Sequence, residues 1–290
     1  MSKIISISKT QSMLGENPLW DAATNSLLSI DTMGRKIMRH DASLKQHEEW
    51  PLKRGPGSFV QRARGGLLMA NRQGLAFSEV GSSELDEISA PALDLSKAVI
   101  NDGKCDSRGR FWTGTMDRNV AGPTGALYRL DTNLAVTRMD DGFTLSNGIA
   151  WSPDDRTMYF CDSRPGHIWA YDYDIDHGII ANRRLHVDFS SRKGHPDGCA
   201  IDADGGLWVA EIGTGQVVRF EPSGREAASI TVPTSRVTSV AFGGPGLRTL
   251  YVTSMRHGLS EDALAREPHA GSIFAVAMDV AGLPAATFNG

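Results

Sequence analysis

The chain has 290 residues and a formal net charge of −4, with 40% hydrophobic and 22% charged residues, 31 glycines and 13 prolines. Charges of both signs are interspersed and no Lys/Arg face alternates with aromatics, which argues against nucleic acid as a partner. No stretch approaches the roughly 18 apolar residues a membrane span needs, and the N-terminal MSKIISISKTQS lacks the apolar core of about 7 to 15 residues of a signal peptide. The expectation is a cytoplasmic protein with no membrane partner.

Along the chain, a short strand over Ile4–Ile7 is followed by GENPLWD, where Glu16 stands in a turn-prone cluster at the mouth of an apolar strand. A carboxylate there has lost solvent and has no partner nearby in sequence, so it is either paired by a distant segment or binds a cation. The surrounding pattern then recurs: ENPLWD at Glu16, NDGKCD at Asn101, NGIAWS at Asn147 and DGCAID at Asp197, with weaker copies at Ser58 and Thr238. The starts are 42, 43, 46, 50 and 41 residues apart, the period of a four-stranded propeller blade.

Each start is followed by short β-rich runs such as LLSID, RFWTG, TMYFCD and LWVAE, punctuated by GG, DG, SPDD and GGPG. The one helical signal is LSEDALARE, where Ser260 caps a short helix that Pro268 ends. The predicted fold is therefore all-β, a six-bladed β-propeller over residues 1–290 as a single domain, with Ile4–Ile7 pairing near Ser272–Met278 to close the ring.

Equivalent positions in such a ring lie at one height, so Glu16, Ser58, Asn101, Asn147, Asp197 and Thr238 are expected around the channel mouth. All carry oxygen and two are carboxylates, a set suited to a hard divalent cation. The competing reading is that Asn or Asp before Gly is simply turn composition, which fits Asn147 and Asp197 but not Glu16. By strand alternation, Asp102 and Lys104 face away from Asn101 and are read as structural, and His195 as surface. Cys105, Cys161 and Cys199, odd in number and without a CxxC pair, are expected as buried free thiols. No GxSxG elbow, phosphate loop or dinucleotide fingerprint is present.

In order, GENPLWD, NDGKCDSRGRFWTGTM, GALYRLD, SNGIAWSPDDRTMYFCDS, PDGCAIDADGGLWVA and FGGPGLRTLYVTS resemble the SMP-30/gluconolactonase/luciferin-regenerating enzyme family over nearly the whole chain. The resemblance implies a propeller with one divalent cation on its axis, with Ca²⁺ the first expectation and Zn²⁺, Mn²⁺, Mg²⁺ or Fe²⁺ the others, hydrolysing sugar lactones. It assigns Glu16, Asn147 and Asp197 to the metal, Asp197 also to catalysis as base, and Asn101 to both metal and substrate. Two positions depart from the family pattern: Val99 replaces an arginine that holds substrate hydroxyls, and Asn119, beside Asp117 and Arg118, replaces an acidic substrate contact. A less polar or differently hydroxylated lactone is the expected consequence.

The function expected is thus cation-assisted ring opening of a lactone by water, in which Asp197 takes the proton or orients the water. Two alternatives stand beside it: a broader esterase or phosphotriesterase, and a non-catalytic calcium-binding regulatory propeller. A small-molecule lactone is the expected partner, and the chain a monomer or weak homo-oligomer.

Overall fold

The computed structural model describes residues 3–90 and 92–290. Strand β1 (Lys3–Ile7) is followed by five blades, each a sequential four-stranded antiparallel sheet. They are β2 (Gly15–Asp21) to β5 through β3 (Ser26–Asp31), β4 (Lys36–Asp41) and β5 (His47–Pro51); then β6 (Pro56–Gln61), β7 (Leu67–Asn71), β8 (Gly74–Ser78) and β9 (Asp86–Ile88). Next come β10 (Ala98–Cys105), β11 (Phe111–Asp117), β12 (Gly125–Leu130) and β13 (Val136–Phe143), and β14 (Ser146–Trp151), β15 (Thr157–Asp162), β16 (His167–Asp174) and β17 (Ile179–Asp188). The fifth is β18 (His195–Ile201), β19 (Leu207–Ile212), β20 (Gln216–Phe220) and β21 (Glu226–Thr231).

The sixth sheet combines β22 (Val237–Gly243), β23 (Thr249–Ser254) and β24 (Phe274–Ala277) with β1, in the order β1-β24-β23-β22. Ile4 pairs with Val276 and Ile7 with Phe274, so the two ends of the chain close one blade as expected. Helix α1 (Glu261–Arg266) carries the predicted cap, the Ala263 N–H donating to Ser260 Oγ at 3.2 Å. Among the described residues no helix is long and apolar enough to cross a membrane.

Six inner strands, β2, β6, β10, β14, β18 and β22, surround the axis, β2 packing beside β22 to complete the circle. The core lies between blades. Cys199, Val209 and Val218, for example, pack with Tyr159, Cys161 and Ile168 of the preceding blade. Two turns of like sequence are locked by a buried aspartate. Asp106 accepts the indole N–H of Trp112 at 2.9 Å, Arg110 Nε at 2.7 Å and the Tyr173 hydroxyl at 2.6 Å. Asp202 accepts Trp208 Nε1 at 2.9 Å and Arg219 Nε at 2.6 Å.

The chain ends as an extended strap across the far end of the channel. Ala203 donates to the Ala281 carbonyl at 2.8 Å, Phe288 to Gln61 at 2.8 Å and Asn289 to Gly109 at 3.0 Å, tying blades that are distant in sequence. Phe288 is fully buried against Phe77.

Candidate active site on the propeller axis

Every inner strand carries a β-bulge near its start, two residues opposing one on the neighbouring strand. The bulged pairs are Asn17-Pro18, Gly57-Ser58, Asn101-Asp102, Asn147-Gly148, Asp197-Gly198 and Thr238-Ser239, so the polar repeat marks bulges inside strands rather than turns. Bulges re-aim side chains next to functional sites. Glycine follows Asn147 and Asp197 because the next blade lies against it. A Cβ on Gly148 would stand 2.7 Å from the Asp197 carbonyl, and one on Gly198 would stand 2.1 Å from Ser239 Oγ.

This register corrects the ring read from the repeat. Asn17, not Glu16, is the structural equivalent of Asn101, Asn147 and Asp197, and Glu16 enters from the residue before its bulge. Asn17 adopts φ 49° and its Oδ1 accepts the Phe59 N–H of the next blade at 2.7 Å. Ser58 is the second residue of its bulge and fully buried. The Thr238 hydroxyl is occupied, donating to the Gly15 carbonyl at 2.5 Å and pairing with Thr253 Oγ1 at 2.9 Å. Part of the polar ring therefore staples blade to blade instead of facing a ligand.

Of the residues assigned to the site, Asn101 and Asn147 are hydrogen-bonded and linked through Ser163 to Pro196 beside Asp197, and Glu16 lies within electrostatic reach of Asp197. Asn101 Nδ2 donates to Asn147 Oδ1 at 2.7 Å and to the Ser146 carbonyl at 2.8 Å. Asn147 Nδ2 donates to Ser163 Oγ at 2.8 Å, and Ser163 passes the connection to the Pro196 carbonyl at 2.5 Å, next to Asp197. Burial, then the charges of Asp197 and Asp102, push the Glu16 carboxyl well above the usual carboxylate range. Asp197 is likewise pushed well up by burial and by Asp102, although the Gly198 N–H opposes this.

Asp102 overturns the alternation argument: the bulge breaks the two-residue period and brings its carboxyl into electrostatic reach of both Glu16 and Asp197. Burial raises its own pKa, with Lys104 as the opposing charge. Lys104 Nζ donates to the Cys199 carbonyl at 2.8 Å, bridging two blades.

Asp197 Oδ1 is buried and has no hydrogen-bond partner. An ionised carboxylate oxygen left so, with two further carboxylates around it, carries a cost that a cation would remove. Among the described residues, no three His, Cys, Asp or Glu side chains make a ready-formed ligand cluster. Glu16, Asp197 and the amide of Asn147 are all oxygen donors, a set that fits a hard divalent cation completed by water.

The two departures from the family pattern are a buried strand position and an exposed turn. Val99 is 1% exposed and pairs with Met116 inside its blade, two residues before Asn101. Asn119 sits on an exposed turn, its N–H held by Asp117 Oδ1 at 2.8 Å. His195 is exposed at the start of β18, as expected of a surface residue. The three cysteines are free and buried, and the Cys161 thiol hydrogen-bonds with Cys199, which together with burial pushes its pKa well up.

Comparison with known proteins matches this architecture. Residues 14–256 fit the family model of the SMP-30/gluconolactonase/LRE-like region. The chain is 35% identical over 292 residues to regucalcin of Danio rerio, covering 99% of each, and 31% identical over 282 residues to "Putative sugar lactone lactonase YvrE" of Bacillus subtilis, covering 97% of each. It superposes on the structure of a calcium-binding protein, regucalcin, from Agrobacterium tumefaciens with a TM-score of 0.92 and 26% identity, covering 99% of this chain and 97% of that one. With its family model and full-length relatives in agreement, the chain belongs to the SMP-30/gluconolactonase/LRE-like family.

Proposed function

We propose that the protein is a divalent-cation-dependent lactonase that opens a lactone to its hydroxy acid. The observation that carries this reading is the partnerless buried oxygen of Asp197, set beside Glu16 and an Asn147 amide held in place by Asn101. Glu16, Asn147 and Asp197 would hold the cation, with Ca²⁺ favoured by the all-oxygen set and by the calcium-binding relative. When bound, it supplies Lewis-acid polarisation of the lactone carbonyl and stabilises the oxyanion.

The residues of the chain do the rest. Asp197 accepts a proton from the attacking water as the water oxygen adds to the carbonyl carbon; the ring C–O bond then breaks, and the ring oxygen takes the proton back as the product hydroxyl. Asn101 fixes the orientation of Asn147 and stands where it can meet the substrate from the third blade. The YvrE relative supports lactones as the substrate class.

The test is acid release from a panel of γ- and δ-lactones by the EDTA-treated protein, with each metal added back in turn. Hydrolysis restored by a divalent cation and lost in Asp197→Ala is expected. Calcium binding with no hydrolysis anywhere in the panel would overturn the proposal in favour of a regulatory propeller.

A further inference from the structure

All six inner strands and the strap residues Leu283–Ala286 line a chamber of about 430 Å³, whose lining includes none of Glu16, Asn101, Asn147 and Asp197. This volume falls within the roughly 300–1,000 Å³ of small-molecule sites.

The origin of the space is visible in the sheet register. Two positions past each bulge, the inner strands present Trp20, Val60, Lys104, Ala150, Ala200 and Ala241, and all six line the chamber. Three alanines at one height leave the room that larger side chains would fill. Lys104 interrupts this otherwise apolar belt and is the one cationic side chain among the described lining residues. It donates one hydrogen bond, to the Cys199 carbonyl at 2.8 Å. An ammonium carries three donors. The one lining carboxylate, Asp155, accepts the Ser107 hydroxyl at 2.6 Å, while Asp102, outside the lining, stands within electrostatic reach of Lys104.

We propose that this chamber is a second ligand site, distinct from the axial cation site, that binds an apolar monocarboxylate. Its carboxylate meets the free N–H groups of Lys104, and its hydrocarbon lies along the alanine belt toward the strap. The charge complement selects an acid over an amine, and the apolar belt selects it over a sugar acid.

Octanoate is the probe, with 1-octanol as the neutral control, titrated calorimetrically into EDTA-treated protein whose folding is verified by circular dichroism. Saturable octanoate binding is expected without metal. Lys104→Met should weaken octanoate binding about tenfold or more, the effect of losing a charge-assisted hydrogen bond, while changing octanol binding less than about twofold. Ala241→Leu, which fills the belt without touching Lys104, should weaken both. The proposal is overturned if folded protein shows no saturable octanoate binding, if binding appears only with the cation present, or if either substitution leaves octanoate affinity unchanged.

Discussion

Asn101 Nδ2 lies 2.7 Å from Asn147 Oδ1, a hydrogen bond that joins the third blade to the fourth at the height of the candidate cation site. A donor there fixes which end of the Asn147 amide faces the axis. Asn101→Ala should therefore weaken cation binding about 10- to 100-fold, the range seen when a supporting partner of a ligand is removed, while unfolding stability without metal changes little by comparison. Calcium titration with a competing chromophoric chelator measures the first and urea unfolding in EDTA the second.

Asp197 gives a prediction of opposite sign in the two states. Its charge stands with those of Glu16 and Asp102 in a buried setting, so without metal the three carboxyls repel one another. Asp197→Asn removes one of them at almost constant shape and should raise the melting temperature in EDTA. With excess cation the wild type should gain about 2.7 kcal/mol at one hundred times its Kd, and the variant much less. Differential scanning calorimetry with and without calcium reads both effects; a wild type unmoved by any divalent cation would count against a site on the axis.

Val99→Arg tests how a buried inner-strand position two residues before Asn101 takes a guanidinium. At 1% exposure Val99 is tightly enclosed, so a guanidinium placed there must be buried or must displace its neighbours. Destabilisation of about 3 kcal/mol or more is expected, and any gain in turnover of hydroxylated lactones would place the new guanidinium beside Asn101. Thermal unfolding and the lactone panel together check it.

The spacing of Asn101, Asn147 and Asp197 makes the blade count legible, because rotational repetition turns sequence register into height. Asp102 is not legible in this way. A bulge adds one residue to an inner strand, and nothing in the alternation of Ala98–Cys105 marks where that residue goes. The same extra residue shifts Asn17 into the register that the repeat assigns to Glu16. Thr238 misleads for another reason: its residue type suits a ligand and an interblade hydrogen bond equally, and only the position of the Gly15 carbonyl decides. The strap has no repeat partner, although Leu283 and Phe288 beyond the last strand are a usable signal of further packing. Asp106 and Trp112, like Asp202 and Trp208, recur at the same separation, so the turn staple can be found by extending the repeat past its first strand.

His40 links stability to pH. Fully buried and stacked on His47, it is held at a pKa of about 4, chiefly by burial and then by the neighbouring imidazole, against an ordinary histidine value of 6.5. The folded-state pKa is depressed, so between about 4 and 6.5 the unfolded chain binds more protons than the folded one. Stability contributed at neutral pH is then lost as pH falls through that window. From pH 7.5 to pH 5 the loss from this residue should be about 2 kcal/mol. Urea unfolding at the two pH values should show a smaller drop for His40→Gln than for the wild type; equal drops would mean that His40 does not carry the dependence.

Asp202 and Glu84 separate two kinds of ion pair. Asp202 is fully buried and accepts Arg219 Nε at 2.6 Å, Trp208 Nε1 at 2.9 Å and the Gly206 N–H at 2.7 Å, and its backbone forms an antiparallel bridge with Gly282 beside the strap. Asp202→Ala leaves a guanidinium and an indole without their acceptor, and breaking a buried pair in this way costs about 3–5 kcal/mol. Lys53 and Glu84 are equally close, at 2.6 Å, but both are exposed, and Glu84→Gln should cost less than about 1 kcal/mol. Chemical unfolding of the two variants side by side should separate them by at least about 2 kcal/mol. If Asp202→Ala proved as mild as Glu84→Gln, the buried aspartate would not be what locks the fifth blade and the strap against it.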